Sequence, residues 1–172
     1  MDELTEVLTK ATAAIECGYF HFNIAGGPSI YRERVYCYEL YHKMRGLWPA
    51  NSFYLNGEVD KAGHPLLPTL RRKKPDLLVH RPGDENGNHA VIEVKPSRVQ
   101  DGDIRKDIET LALFRSEANY ERAIYLIYGD GANDGLLERV RRIAGNFPGM
   151  RSIELWLHPV CERPAFHRGD LV

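Results

Sequence analysis

Apolar residues recur at helical spacing from the start of the chain. Leu4, Val7, Leu8, Ala11 and Ile15 share one face, which predicts a helix over about residues 2–17. A short alternating stretch, Tyr19 to Ile24, leads into the loop signal Gly26-Gly27-Pro28. A second helix is expected from Ser29, its N-cap, to about Arg45, with Gly46 and Pro49 ending it. Val35, Tyr36, Cys37, Leu40, Tyr41 and Met44 supply its apolar side. Strands are then expected over 52–59 and 74–81, separated by a polar loop rich in Pro and Gly. The turn Pro82 to Asn88 precedes a third strand, Ala90 to Lys95, which Pro96 stops.

The second half alternates more regularly. A helix over 103–115, capped by Asp101 or Asp103, is followed by an apolar strand of buried type over 121–128. A helix over 133–144 and a strand over 152–158 complete the pattern, and the tail from Pro159 carries no periodic signal. Helices that flank and alternate with strands predict an α/β fold, a mixed central sheet with helices on both faces. The length of 172 residues suits a single domain over 1–172, with its core at about 29–158.

Composition is that of an ordinary globular protein, and no apolar run is long enough to cross a bilayer. The opening residues lack the basic and apolar regions of a signal peptide, so a cytoplasmic location and no membrane partner are expected. A net charge of −1 argues against nucleic-acid binding by bulk charge, but leaves room for a local basic face. Arg71, Arg72, Lys73 and Lys74 form one basic run, and Arg139, Arg141 and Arg142 another. Cys17, Cys37 and Cys161 match no zinc pattern and are expected to be reduced, mostly buried thiols. The seven histidines include no pair at ligand spacing with a cysteine or acid.

The strand from Ala90 to Lys95 carries the chemistry. Alternation puts Glu93 and Lys95 on one side with Val91, and Ile92 and Val94 on the other. Two charges at the end of an apolar strand are costly unless they are paired or bind something. If the turn closes a hairpin, Asp76 comes opposite residues near 94 or 95, within reach of Glu93 and Lys95. Two carboxylates on rigid strands suit a hard cation, Mg²⁺ or Mn²⁺, that lowers the pKa of a water and stabilises charge on a phosphate. The lysine can polarise the attacking water or neutralise the transition state.

Pro75-Asp76, a gap of sixteen residues, and Glu93-Val94-Lys95 resemble the PD-(D/E)XK nuclease superfamily. The resemblance covers about Ser29 to Leu126 and implies a restriction-endonuclease-like core. It implies Asp76 and Glu93 as metal ligands, helped by the Val94 carbonyl, and Lys95 as the catalytic lysine. Members often add a helix glutamate. Glu33 is preferred because it falls in the middle of the apolar face of its helix, whereas Glu39 lies off that face near Lys43; Glu58 is a third candidate. Arg72, Lys73, Lys74 and Lys106 are the expected phosphate contacts.

The expected function is therefore metal-dependent hydrolysis of phosphodiester bonds in DNA, with RNA also a substrate class the sequence admits. The family analogy implies homodimers, since cutting two strands needs two sites. The alternative is an inactive nucleic-acid- or protein-binding module of the same fold in a defence or mobile-element system. A weaker one is a metal hydrolase of small phosphorylated substrates, which a closed pocket would favour over a long basic groove. The tyrosines of the second helix are read as packing residues rather than a base-stacking platform.

Overall fold

The computed structural model describes residues 3–59, 70 and 73–171. Its elements are α1 (Leu4–Ala13), α2 (Cys17–Phe20), α3 (Glu33–Gly46), β1 (Tyr54–Gly57), β2 (Leu77–His80), β3 (Asn88–Pro96), α4 (Asp101–Ser116), β4 (Arg122–Tyr128), α5 (Asp134–Ala144), β5 (Ile153–His158) and β6 (Phe166–Leu171). The six strands form one mixed sheet in chain order, β1 to β6. β1, β2 and β3 run antiparallel, β3, β4 and β5 parallel, and β6 antiparallel again.

Side-chain alternation along the strands builds two cores. Val91, Tyr125, Ile127, Leu155 and Leu157 face α4 and α5. Ile92, Val94, Ile124, Leu126 and Trp156 face α1, α2 and α3. The crossovers through α4 and α5 both advance along the sheet in one direction, so two connections of the same hand must cover the same face. β4, covered on both faces, is the continuous apolar strand its composition predicts.

Several boundaries differ from expectation for local reasons. The chain at Ser29 is extended, because Phe22 and Ile30 exchange backbone hydrogen bonds of 2.8 and 3.0 Å. The Ser29 hydroxyl donates to Asn23 Oδ1 instead of capping a helix. Helix α3 consequently starts at Glu33, placing that carboxylate in the first turn, where the helix dipole favours it. Gln100, rather than Asp101 or Asp103, is the N-cap of α4, and Asp101 pairs with Arg139 of α5.

The tail is ordered structure rather than a patternless end. β6 lies at the sheet edge with most side chains exposed, so it has no burial alternation to betray it. The buried clusters reach Leu4 and Leu171, beyond residues 29 and 158.

The cysteines also differ from the expected reduced state. Cys17 and Cys161 form a disulfide, and only Cys37 is free and buried. The tail docks on the first helix: Glu162 N–H donates to Ile15 O, and Ala165 N–H donates to the buried Thr12 Oγ1. That docking joins cysteines 144 positions apart in sequence. No helix among the described residues is long and apolar enough to cross a membrane.

Candidate active site

The β2–β3 hairpin assembles the centre of the site. Its turn uses Gly83 at φ +81° and an Asp84 carboxylate that accepts the Asn86 N–H. The ladder pairs Leu77 with Ile92, so Asp76, one step before it, stands beside Glu93. Asp76 Oδ2 accepts the Val94 N–H at 2.8 Å. This bond holds the Asp76 carboxylate where β2 leaves the ladder. Val94 itself turns its side chain into the opposite core, so its contribution here is through the backbone.

Glu93 is only 5% exposed. Burial pushes both carboxyls above the ordinary range, Glu93 furthest, and the Asp76 charge raises Glu93 further. Lys95 and the Val94 N–H partly offset the burial of Asp76. Two carboxyls packed side by side at a largely buried spot resist ionising together, and a bound cation would relieve that resistance.

Lys95 points to the same side two residues on. Its Nζ donates to Glu33 Oε1 at 2.8 Å and lies 4.0 Å from Asp107 Oδ2. Burial alone would pull this lysine down, but Asp107, Glu33 and Asp76 outweigh it and hold the ammonium above its usual range. Lys95 therefore keeps its proton and acts as a fixed positive charge.

Asp107, next to the expected phosphate contact Lys106, is a site residue absent from the sequence-based expectation. It is buried in α4 and accepts the Tyr125 hydroxyl at 3.2 Å. Burial raises its carboxyl to about 7, against the opposing pull of Lys95 and the Tyr125 bond. A signal was present: with Ile104, Ile108 and Leu111, Asp107 falls on the buried stripe of α4. A carboxylate in such a stripe needs a partner or a role.

The helix glutamates are separated by position. Glu33 reaches Lys95 from the start of α3, although it is half-exposed rather than central to a buried face. Glu39 is the buried one, contrary to the helical-wheel argument. It pairs with Lys43 at 3.0 Å, and Lys43 also lies 3.6 Å from Glu16. The turn between α1 and α2 thus closes over a side of α3 that an isolated wheel leaves to solvent. Glu58 stands at the rim, its N–H bonded to Asp76 O and its carboxylate 3.6 Å from Arg34.

These groups form the floor of an open cleft of about 340 Å³, where four carboxylates surround one ammonium. Arg34, Lys73, Lys74 and Lys106 line the same cleft. Lys73 is held by Glu109 at 2.7 Å. Arg72, the remaining expected phosphate contact, lies outside the described residues. An acidic floor under a basic rim has the charge order of a cation held beneath a polyanion.

The oxygen-only donor set, Asp76 and Glu93 with the Val94 carbonyl between strands, fits the chemistry of a hard divalent cation. Among the described residues, no group of three or more His, Cys, Asp and Glu side chains is drawn together to hold a metal alone. Comparison with protein families, with curated proteins and with solved structures finds no match to this chain.

Proposed function

We propose that the protein is a divalent-metal-dependent nuclease of the PD-(D/E)XK type, built on a restriction-endonuclease-like core, that hydrolyses phosphodiester bonds in DNA. The observation that carries this reading is the convergence of Asp76, Glu93 and Lys95 at the floor of one cation-rimmed cleft. Mg²⁺ takes one or two protein carboxylates and completes its shell with waters and phosphate oxygens. Asp76 and Glu93, with the Val94 carbonyl, would hold the ion, which when bound supplies an activated water and charge stabilisation.

The chain's own residues have definable parts. The Val94 N–H and the β2–β3 hairpin fix Asp76, so its carboxylate needs no reordering when substrate arrives. Lys95, held charged by Glu33 and Asp107, cannot accept a proton. Its role is to orient the attacking water and to neutralise charge growing on the phosphate. Glu33 from α3 and Asp107 from α4 position that ammonium. Lys73, Lys74 and Lys106 meet the flanking phosphates.

A second open cavity, sharing Cys37, Glu58 and Asp76, adjoins the cleft. The combined groove favours an extended polymer over a small phosphorylated molecule. The test is cleavage of plasmid and single-stranded DNA with Mg²⁺ or Mn²⁺ by wild type, Asp76→Ala and Lys95→Ala. Metal-dependent cutting lost in both variants is expected. Metal-dependent cutting retained by either variant, or none by the wild type, overturns the proposal.

A further inference from the structure

The adjoining cavity has a character of its own. It measures about 480 Å³ and lies between α3 and β1, with Tyr38 and Tyr41 on one wall and Asn56 and Gly57 on the other. Tyr38 and Tyr41 are three apart on a helix, so their rings share a side. Tyr36, on the neighbouring face, is a fully buried core residue stacked on Tyr128. Tyr38 is different: it is 63% exposed and its ring lines the cavity. Packing accounts for Tyr36 but leaves the solvent-facing aromatic at 38 without a structural reason.

Gly57 belongs to the opposite wall. Along β1 it shares a face with Leu55, which is buried toward α3, and it brings no side chain to that side. A Cβ at Gly57 would meet Asp76 O at 3.6 Å and Leu77 Cδ2 at 3.9 Å, ordinary contacts, so backbone crowding does not demand the glycine. The wall across the cavity from the two tyrosines therefore carries no side chain at this position.

The charge pattern divides along the same line. The cations Lys73, Lys74 and Lys106 line the Asp76–Glu93–Lys95 cleft but not the tyrosine cavity, whose only charged lining groups among the described residues are the carboxylates Glu58 and Asp76. Asp76 lines both. A ligand that spans them carries a negative group at one end and a neutral flat ring beside it, which is the chemistry of a nucleotide within a strand. In a duplex that ring is paired and stacked, and placing it between α3 and β1 costs its unpairing.

Resting on the nuclease reading, we infer that the Tyr38–Tyr41 cavity is a subsite for an unpaired nucleobase, and that the protein prefers single-stranded nucleic acid, or a frayed end, to intact duplex. Stacking on an aromatic face tolerates any base, so this subsite selects strandedness rather than sequence.

The test is fluorescence anisotropy with a short oligothymidylate and a duplex of equal length, with Ca²⁺ present in place of Mg²⁺. Wild type, Tyr38→Ala and Tyr38→Phe are compared over a range of salt. Wild type should bind the single strand more tightly than the duplex. Tyr38→Ala should weaken single-strand binding by about tenfold, the effect of losing one stacked base, while Tyr38→Phe retains it. The salt dependence of the affinity should be unchanged in Tyr38→Ala, because stacking releases no counterions.

Equal binding of both substrates, an unaltered affinity in Tyr38→Ala, or a reduced salt slope in that variant each overturns the inference. The cleavage assay separates this failure from that of the nuclease reading. A protein that cuts plasmid through Asp76 yet is indifferent to Tyr38 is a nuclease without this subsite. Absence of both binding and cutting removes both proposals.

Discussion

Asp107→Asn offers a test of the electrostatics that bind the site together. Asp107 is buried, with its carboxyl raised from 3.8 to about 7. Its folded-state value lies above its unfolded one, so the protonated form is favoured by folding. The associated stability is fully present below about pH 4 and is lost as pH rises through about 7. A displacement of that size corresponds to about 4 kcal/mol. Asparagine keeps an oxygen for the Tyr125 hydroxyl and cannot ionise. Lys95 also bonds Glu33 at 2.8 Å, a partner the substitution leaves in place.

Urea unfolding in EDTA, followed by tryptophan fluorescence from pH 4.5 to 8.5, reads the difference directly. At the acid end the two proteins should agree to within about 1 kcal/mol, the scale of one adjusted hydrogen bond. By pH 8 the asparagine variant should be the more stable by up to about 4 kcal/mol, or about 2 M in urea midpoint for a slope of about 2 kcal/mol/M. A difference that stays constant with pH, or a variant less stable than wild type at pH 8, would refute the reasoning.

Other consequences are as specific. Glu33→Gln should slow metal-dependent cleavage by about 10–100-fold, the usual cost of losing a group that orients a site residue. Glu39→Gln should leave the cleavage rate near wild type and lower the thermal midpoint, because it strips Lys43 of its nearest carboxylate; rates and melting curves of the two variants check both. Cys17→Ser should destabilise the protein by up to about 5 kcal/mol, the chain-entropy value for so long a loop. Urea unfolding with and without a reductant measures that loss, and the reductant should affect the wild type alone.

The parts of this structure that were legible in the sequence are those governed by the local chain. Strand alternation dictated that Glu93 and Lys95 would share a face, and Val91 does lie in one core with Ile92 and Val94 in the other. The turn-rich stretch from Pro82 to Asn88 announced the hairpin that brings Asp76 to Val94 and Glu93. What was not legible depends on distant contacts. Glu39 is buried and shares Lys43 with Glu16 of the α1–α2 turn, a partner its own helix pattern does not contain. The Cys17–Cys161 bond and β6 depend on how the tail docks on α1 and on β5. Ser29 has the chemistry of an N-cap, yet an Asn23 side chain and a single bridge between Phe22 and Ile30 claimed it for extended backbone.

Asp107 belongs to neither group, since its place on an apolar stripe was visible but its distance from the Asp76–Glu93 motif concealed its relevance.

In the proposed nuclease, Asp76 and Glu93 stand together because they share a divalent cation. Calorimetric titration with Mn²⁺, in two buffers of different ionisation enthalpy at neutral pH, tests it most directly. The wild type should bind Mn²⁺ saturably and release protons as it does so, because a cation opposes the upward push that burial and the Asp76 charge exert on the Glu93 carboxyl. Asp76→Ala and Glu93→Gln should both lose that binding while remaining folded. A wild type that takes up no Mn²⁺, or variants that bind it as tightly and with the same proton release, would contradict the account.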